Sequence, residues 1–126
     1  MKRGRSSTAV PPSTKSLVLA RDQGLCVIAG PFCVGVASIP DHRANRGAGG
    51  SSLLNDPSNL IAACTLCNGW KEDVTGDERE ELVRRGVRVI PNSTHAKTLE
   101  RARETSVIYP DGSRFLLHAD GSRVPA

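Results

Sequence analysis

CVIAGPFCVGVASIPDH, residues 26–42, and NLIAACTLCNGWK, residues 59–71, decide how this chain is read, because they hold all four of its cysteines. Six residues separate Cys26 from Cys33, thirty separate Cys33 from Cys64, and two separate Cys64 from Cys67. Two such knuckles meet around a tetrahedral zinc when the connection between them folds back as a hairpin. Gly30-Pro31 is a turn signal that brings the first two thiolates together. A redox dithiol at Cys64 and Cys67 is the competing reading, but it leaves Cys26 and Cys33 without a role and lacks a thioredoxin-like context. A zinc held by four thiolates has no open position, so any chemistry must come from other residues.

Outward from these stretches, Ser13 to Gly24 carries Leu17, Val18 and Leu19 between a Ser or Thr cap and a glycine stop, which predicts a short helix leading into Cys26. Val34 to Pro40 is apolar and β-branched enough to predict a strand ending at Asp41-His42. The loop from Arg43 to Ser58 is rich in Gly, Ser and Asn; its GAGG run lacks the Lys-Ser or Lys-Thr that a phosphate-cradling Walker loop requires. Asn59 to Ala63 predicts a second strand, and the chain turns helical from Thr65 to Lys71 or Asp73. DEREELVRRG follows with acids in its first turn, arginines in its last and Gly86 as its stop, an order that suits the helix dipole. Val87 to Ile90 is a strand candidate and Pro91 to Glu104 a capped helical one. Ser106 to Tyr109 and Arg114 to His118 flank Pro110-Asp111-Gly112-Ser113, a hairpin signal, and the related ADGSR run marks another turn.

At 126 residues the chain is expected to form one domain, and with two Phe, one Trp and one Tyr its core needs a staple beyond apolar burial. The net charge of +4 comes wholly from residues 1–16, where Lys2, Arg3, Arg5 and Lys15 face no acid; the remaining 13 basic and 13 acidic groups cancel. That segment reads as a disordered basic tail, serving either as a phosphate-touching arm or as a solubilising leader. No signal peptide or membrane-length apolar run is recognisable, so no membrane partner and a cytoplasmic location are expected. In such a reducing compartment paired cysteines favour metal over disulfides.

Cys26 and Cys33, Asp41-His42, the Gly49-Gly50 loop, Asn59-Leu60 and Cys64-Thr65-Leu66-Cys67-Asn68 with Lys71 together resemble the HNH, or ββα-metal, nuclease family over about residues 17 to 73. Ala20-Arg21-Asp22 is similar to the approach helix of its zinc-bearing members. The resemblance implies a small α+β fold: an approach helix, a zinc-stapled ββα-metal core at residues 17–75, and a C-terminal helix with hairpin strands at 76–126.

It also implies roles. His42 and Asn59 take the catalytic positions, with His42 as the general base, since an imidazole near its reference pKa of roughly 6.5 accepts a proton at neutral pH. Asn59 ties the hairpin loop and orients the base, a role compatible with its local reading as a turn or cap residue. Asp41 and Asn68 supply oxygen donors to one catalytic Mg²⁺ or Mn²⁺. The last position is asparagine where the family commonly has histidine, making this an H-N-N variant. Arg43, Arg46 and Lys71 are read either as contacts to flanking phosphates or as solvated charges. Trp70 is read as a core anchor and His118 as a surface residue. The function implied is metal-dependent hydrolysis of DNA phosphodiester bonds, in a layout similar to stand-alone bacteriophage nucleases that assist a packaging (terminase) complex, which would place it in the host cytoplasm. The alternative is a non-catalytic zinc-stabilised nucleic-acid-binding module.

Overall fold

Proline needs no amide partner in the first turn of a helix, and the chain uses this at its first element. The computed structural model describes residues 9–45 and 52–126. Helix α1, Pro12–Arg21, follows an extended Pro11 and carries a proline in its first turn. This is the helix expected over Ser13 to Gly24, and its start takes residues 12–16 out of the segment, 1–16, that also reads as a disordered tail. Gln23 and Gly24, both at positive φ, end it, and the Gly24 amide returns to Leu19 O at 2.8 Å. Arg46, Gly49-Gly50 and residues 1–8 of the tail lie outside the described residues.

The strand expected at Val34 to Pro40 begins later. Strand β1 is Ile39–His42, so Asp41 and His42 stand in the strand and do not follow it. Val34 and Val36 are 62% and 66% exposed, and Leu25 to Val36 is a single bridge. Their β-branched side chains raised strand propensity, but what makes a strand is a partner, and that partner is β2, Leu60–Ala63. The two run antiparallel with Asp41 opposite Ile61 and His42 opposite Leu60. All four residues of β2 are buried. Helix α2, Thr65–Asp73, follows at once, N-capped by Cys64.

Helix α3, Gly76–Arg84, carries Asp77 and Glu78 in its first turn as its charge order predicts. Val87 to Ile90 is not a strand: Val87 and Val89 are buried, but the Val89 amide bonds to Arg43 O at 2.9 Å and, among the described residues, no strand pairs with it. Helix α4, His95–Glu104, starts behind Thr94, whose hydroxyl accepts from the Lys97 amide at 3.1 Å. Strands β3, Val107–Ile108, β4, Arg114–Leu117, and β5, Arg123–Pro125, then form an antiparallel meander. Both of its turns use one device: Asp111 accepts from the Ser113 amide and Asp120 from the Ser122 amide, each at 2.9 Å. The described residues thus make a mixed α+β fold of four helices and two small antiparallel sheets. None of these helices is long and apolar enough to cross a membrane.

One hydrophobic cluster joins Val18, Val27, Ile28 and β2 to Leu82, Val87, Val107 and Leu117, so the last fifty residues share a core with the first part. Polar clamps reinforce the union. Arg85 donates to Val27 O and Ile28 O at 2.7 Å and to Ile108 O at 3.1 Å. Arg21 grips Asp22 through two 2.9 Å bonds, and Asp22 also accepts from the Ala62 amide at 3.0 Å and from the Tyr109 hydroxyl at 2.5 Å.

That last bond makes a pH prediction. Burial, with the Asp22 carboxylate beside it, pushes the Tyr109 phenol up to about 12 from an ordinary value of 10. A folded-state pKa above the unfolded one gives stability that is complete below about pH 10 and is lost as pH rises through about 12. Denaturant midpoints measured across this window should fall for the parent, and the Tyr109 part of that fall should vanish in Tyr109→Phe. At neutral pH the same substitution should cost about 1.5–3 kcal/mol, the range for a hydrogen bond to a charged group.

Candidate metal centre and adjoining polar site

The four thiols arrive from two directions. Cys26 and Cys33 flank the turn after α1, where the Cys26 amide bonds to Gly35 O at 2.9 Å and the Cys33 amide to Gly30 O at 3.2 Å. Cys64 and Cys67 lie at the N-cap and in the first turn of α2. All four Sγ atoms fall within 4.8 Å of one another, close enough to hold a metal such as zinc. Zinc–sulfur bonds of about 2.3 Å in a tetrahedron set sulfurs roughly 3.8 Å apart, so the arrangement fits with a small contraction.

Backbone amides point at the sulfurs, as thiolates require. Gly30 N donates to Cys67 Sγ at 3.3 Å, Gly35 N to Cys33 Sγ at 3.2 Å and Cys67 N to Cys64 Sγ at 3.4 Å. Burial works against ionisation and raises the Cys26 and Cys67 thiols. At Cys64 burial pushes the same way, yet amide donation from Val34 and Cys67 prevails and brings the thiol down to about 6. A dication bound among them would stabilise all four as thiolates. Trp70 abuts the knuckle: a Cβ at Gly30 would sit 2.7 Å from its ring, so only glycine lets the turn rest on α2. The anchoring role read for Trp70 agrees with this packing.

Asp41 and His42 lie on β1, Asn68 and Lys71 on α2, and Asn59 immediately before β2. Asp41 is buried, and the Lys71 ammonium from α2 lies 2.9 Å from its Oδ2. The same ammonium donates to the His42 main-chain carbonyl at 2.8 Å, and Oδ2 accepts no aligned hydrogen bond. Burial raises the Asp41 carboxyl above its ordinary value, opposed by the charge of Lys71. Asn68 is half-buried on α2, three residues before Lys71 and so on the same helical face.

Asn59 is fully buried and ties the loop between the strands: its Oδ1 accepts from Ala44 N at 3.0 Å, and its Nδ2 donates to Ala44 O at 3.1 Å and Leu54 O at 3.0 Å. This is a positioning role for the strand end that carries His42. His42 is half-buried, with Nε2 2.8 Å from Asn55 Oδ1. The Asn55 amide nitrogen donates to Ala9 O at 3.3 Å, which turns its oxygen toward the imidazole. Sequence reasoning missed Asn55, since an asparagine in a Gly/Ser-rich loop carries no signal beyond its turn propensity.

Two residues read either as phosphate contacts or as solvated charges are buried instead. Arg43 is 1% exposed and spends its guanidinium on Gly86 O, Ser58 O, Ala102 O and Thr105 O at 2.6–2.9 Å. Lys71 is also 1% exposed and is committed to Asp41 and His42 O. Neither is a solvated charge, and neither presents its cation to a phosphate in this structure. The cation that sequence reasoning overlooked is Arg88, half-buried in the segment misread as a strand. It donates to Lys71 O at 3.3 Å, and its charge acts on Asp41. Glu72 acts on Asp41 with the opposite sign and accepts from Asn45 at 3.3 Å.

No protein-family model, curated protein or solved structure matches this chain.

Proposed function

We propose that this chain is a metal-dependent endonuclease that hydrolyses DNA phosphodiester bonds, with a ββα-metal core of the HNH kind around residues 39–73. The observation that carries the reading is the Lys71 ammonium of α2 touching Asp41 and the His42 carbonyl of β1, with Asn68 three residues earlier on the same helix. Around that meeting point Asn59 closes the loop and the four-cysteine cluster, the proposed zinc site, staples the base.

The donor set suits a hard divalent cation. Asp41 Oδ2 is a buried oxygen with no aligned hydrogen bond, and the Asn68 amide would bring a second oxygen from the facing helix. A bound Mg²⁺ or Mn²⁺ supplies Lewis-acid stabilisation of charge on the phosphate and the leaving oxygen. The rest falls to side chains. Asn55 Oδ1, 2.8 Å from His42 Nε2, holds the imidazole that takes the proton from the attacking water. Asn55 and Asn59 hold that ring and its strand in place. Arg88 replaces Arg43 and Lys71 as the candidate phosphate contact near Asp41.

Supercoiled-plasmid nicking in Mg²⁺ or Mn²⁺ tests the reading, with the parent compared against His42→Ala at matched zinc content. Loss of a general base should slow nicking by roughly 10²–10⁴-fold. Equal cutting by both proteins would falsify the assignment of His42. Binding of DNA by both with cutting by neither would favour the non-catalytic zinc-stabilised binding module.

A further inference from the structure

Lys71 is the residue in this site that the proposed chemistry leaves unused. Its side chain is almost wholly buried, a rare state for lysine unless a partner compensates it. The partner is Asp41 Oδ2 at 2.9 Å, the one buried side-chain polar atom among the described residues that accepts no aligned hydrogen bond. The aligned bond of the ammonium goes instead to His42 O at 2.8 Å. The ammonium thus lies in ion-pair contact with that carboxylate oxygen, off the aligned hydrogen-bond direction, in the place a bound cation would take. It stands between the carboxylate proposed as a metal ligand and the backbone of the proposed base, on the face of α2 that also carries Asn68.

We infer that Lys71 is an internal counter-cation that competes with the divalent metal for Asp41, so that metal binds weakly to the free protein and is recruited together with a phosphate of the nucleic acid. The inference rests on the nuclease reading above for the identity of the phosphate. Two cations facing one carboxylate repel each other, and burial weakens the screening that would otherwise hide this. A phosphate oxygen entering the site adds the missing negative charge and lets ammonium and metal coexist. Linkage then requires that metal and DNA tighten each other by the same factor. Arg88 adds positive charge near Asp41 and Glu72 offsets it, so the competition for the carboxylate oxygen is set by Lys71, the cation that touches it.

Mn²⁺ affinity, read from the electron paramagnetic resonance signal of the free ion, tests this without any activity measurement. The zinc-loaded full chain is compared with Lys71→Met and Lys71→Gln at matched zinc content. Both substitutions should tighten Mn²⁺ binding at least tenfold. In the His42→Ala background, used to suppress cleavage, a short DNA duplex should tighten Mn²⁺ binding at least tenfold as well. If Lys71→Met fails to fold because Asp41 is left buried without a partner, Lys71→Gln decides, since its amide can still donate to His42 O. The duplex experiment needs no change at Lys71. Equal or weaker Mn²⁺ binding in the folded Lys71 variants overturns the inference and makes Lys71 a support for the metal site. If no form binds Mn²⁺, with or without DNA, the nuclease reading fails and this inference falls with it.

Discussion

Cys64→Ser is expected to abolish metal retention and leave the chain unfolded at neutral pH. The purified parent should carry one tightly held zinc per molecule, and a strong chelator should convert it to the state of the variant. The magnitude follows from the core. Its buried members are mostly small aliphatics, with Tyr109 as the one buried aromatic among the described residues. A structural zinc contributes an apparent 10–16 kcal/mol or so in small zinc modules near pH 7, while whole domains are stable by about 5–15 kcal/mol. Losing the first is enough to remove most or all of the second. Cys64 is the sharpest position because its sulfur also caps α2, the helix that brings Asn68 and Lys71 to β1. Metal analysis together with far-ultraviolet circular dichroism reads the outcome. A chelated protein that keeps its native spectrum and thermal midpoint would show that the cysteine cluster is not a metal staple.

Arg43→Ala is expected to lower stability by about 3–5 kcal/mol, because it strands four main-chain carbonyls that one guanidinium now satisfies. Those carbonyls belong to Ser58 before β2, Gly86 after α3, and Ala102 and Thr105 at the end of α4. The side chain is thus the bolt between the hairpin loop and the C-terminal helices. Burial, together with the nearby Arg21 charge, lowers its pKa to about 9, which still leaves it protonated at pH 7. Arg43→Lys should recover little of the loss, since a single ammonium cannot match the fork of bonds. Thermal or denaturant unfolding of zinc-loaded protein measures the effect. The opposite result, unchanged stability with weakened DNA binding, would restore Arg43 as a phosphate contact.

The contrast between Cys64 and Arg43 marks where the sequence is informative. Cysteine spacing, the capped stretch from Pro91 to Glu104, the acidic first turn of α3 and the two Asp-Gly-Ser turns are local signals, each acting over a few residues, and each has its counterpart in the structure. The loop-tying role of Asn59 was legible too, but through family resemblance and not through local chemistry. Strand boundaries were less legible: Val34, Val36 and Val87 have strand-forming side chains, but pairing depends on a neighbour that lies elsewhere in the chain.

By itself, then, the sequence determined the four-thiol cluster, the helices and turns, and the candidate set of Asp41, His42, Asn59 and Asn68. Only the tertiary structure decided the fates of Arg43, Lys71 and Asn55. Arginine and lysine are exposed by default, so nothing in their neighbours along the chain says that one will bind four distant carbonyls and the other will close on a buried aspartate. Those outcomes depend on which backbone groups the fold leaves without partners, and that is settled only when β1, β2 and the C-terminal helices have packed together.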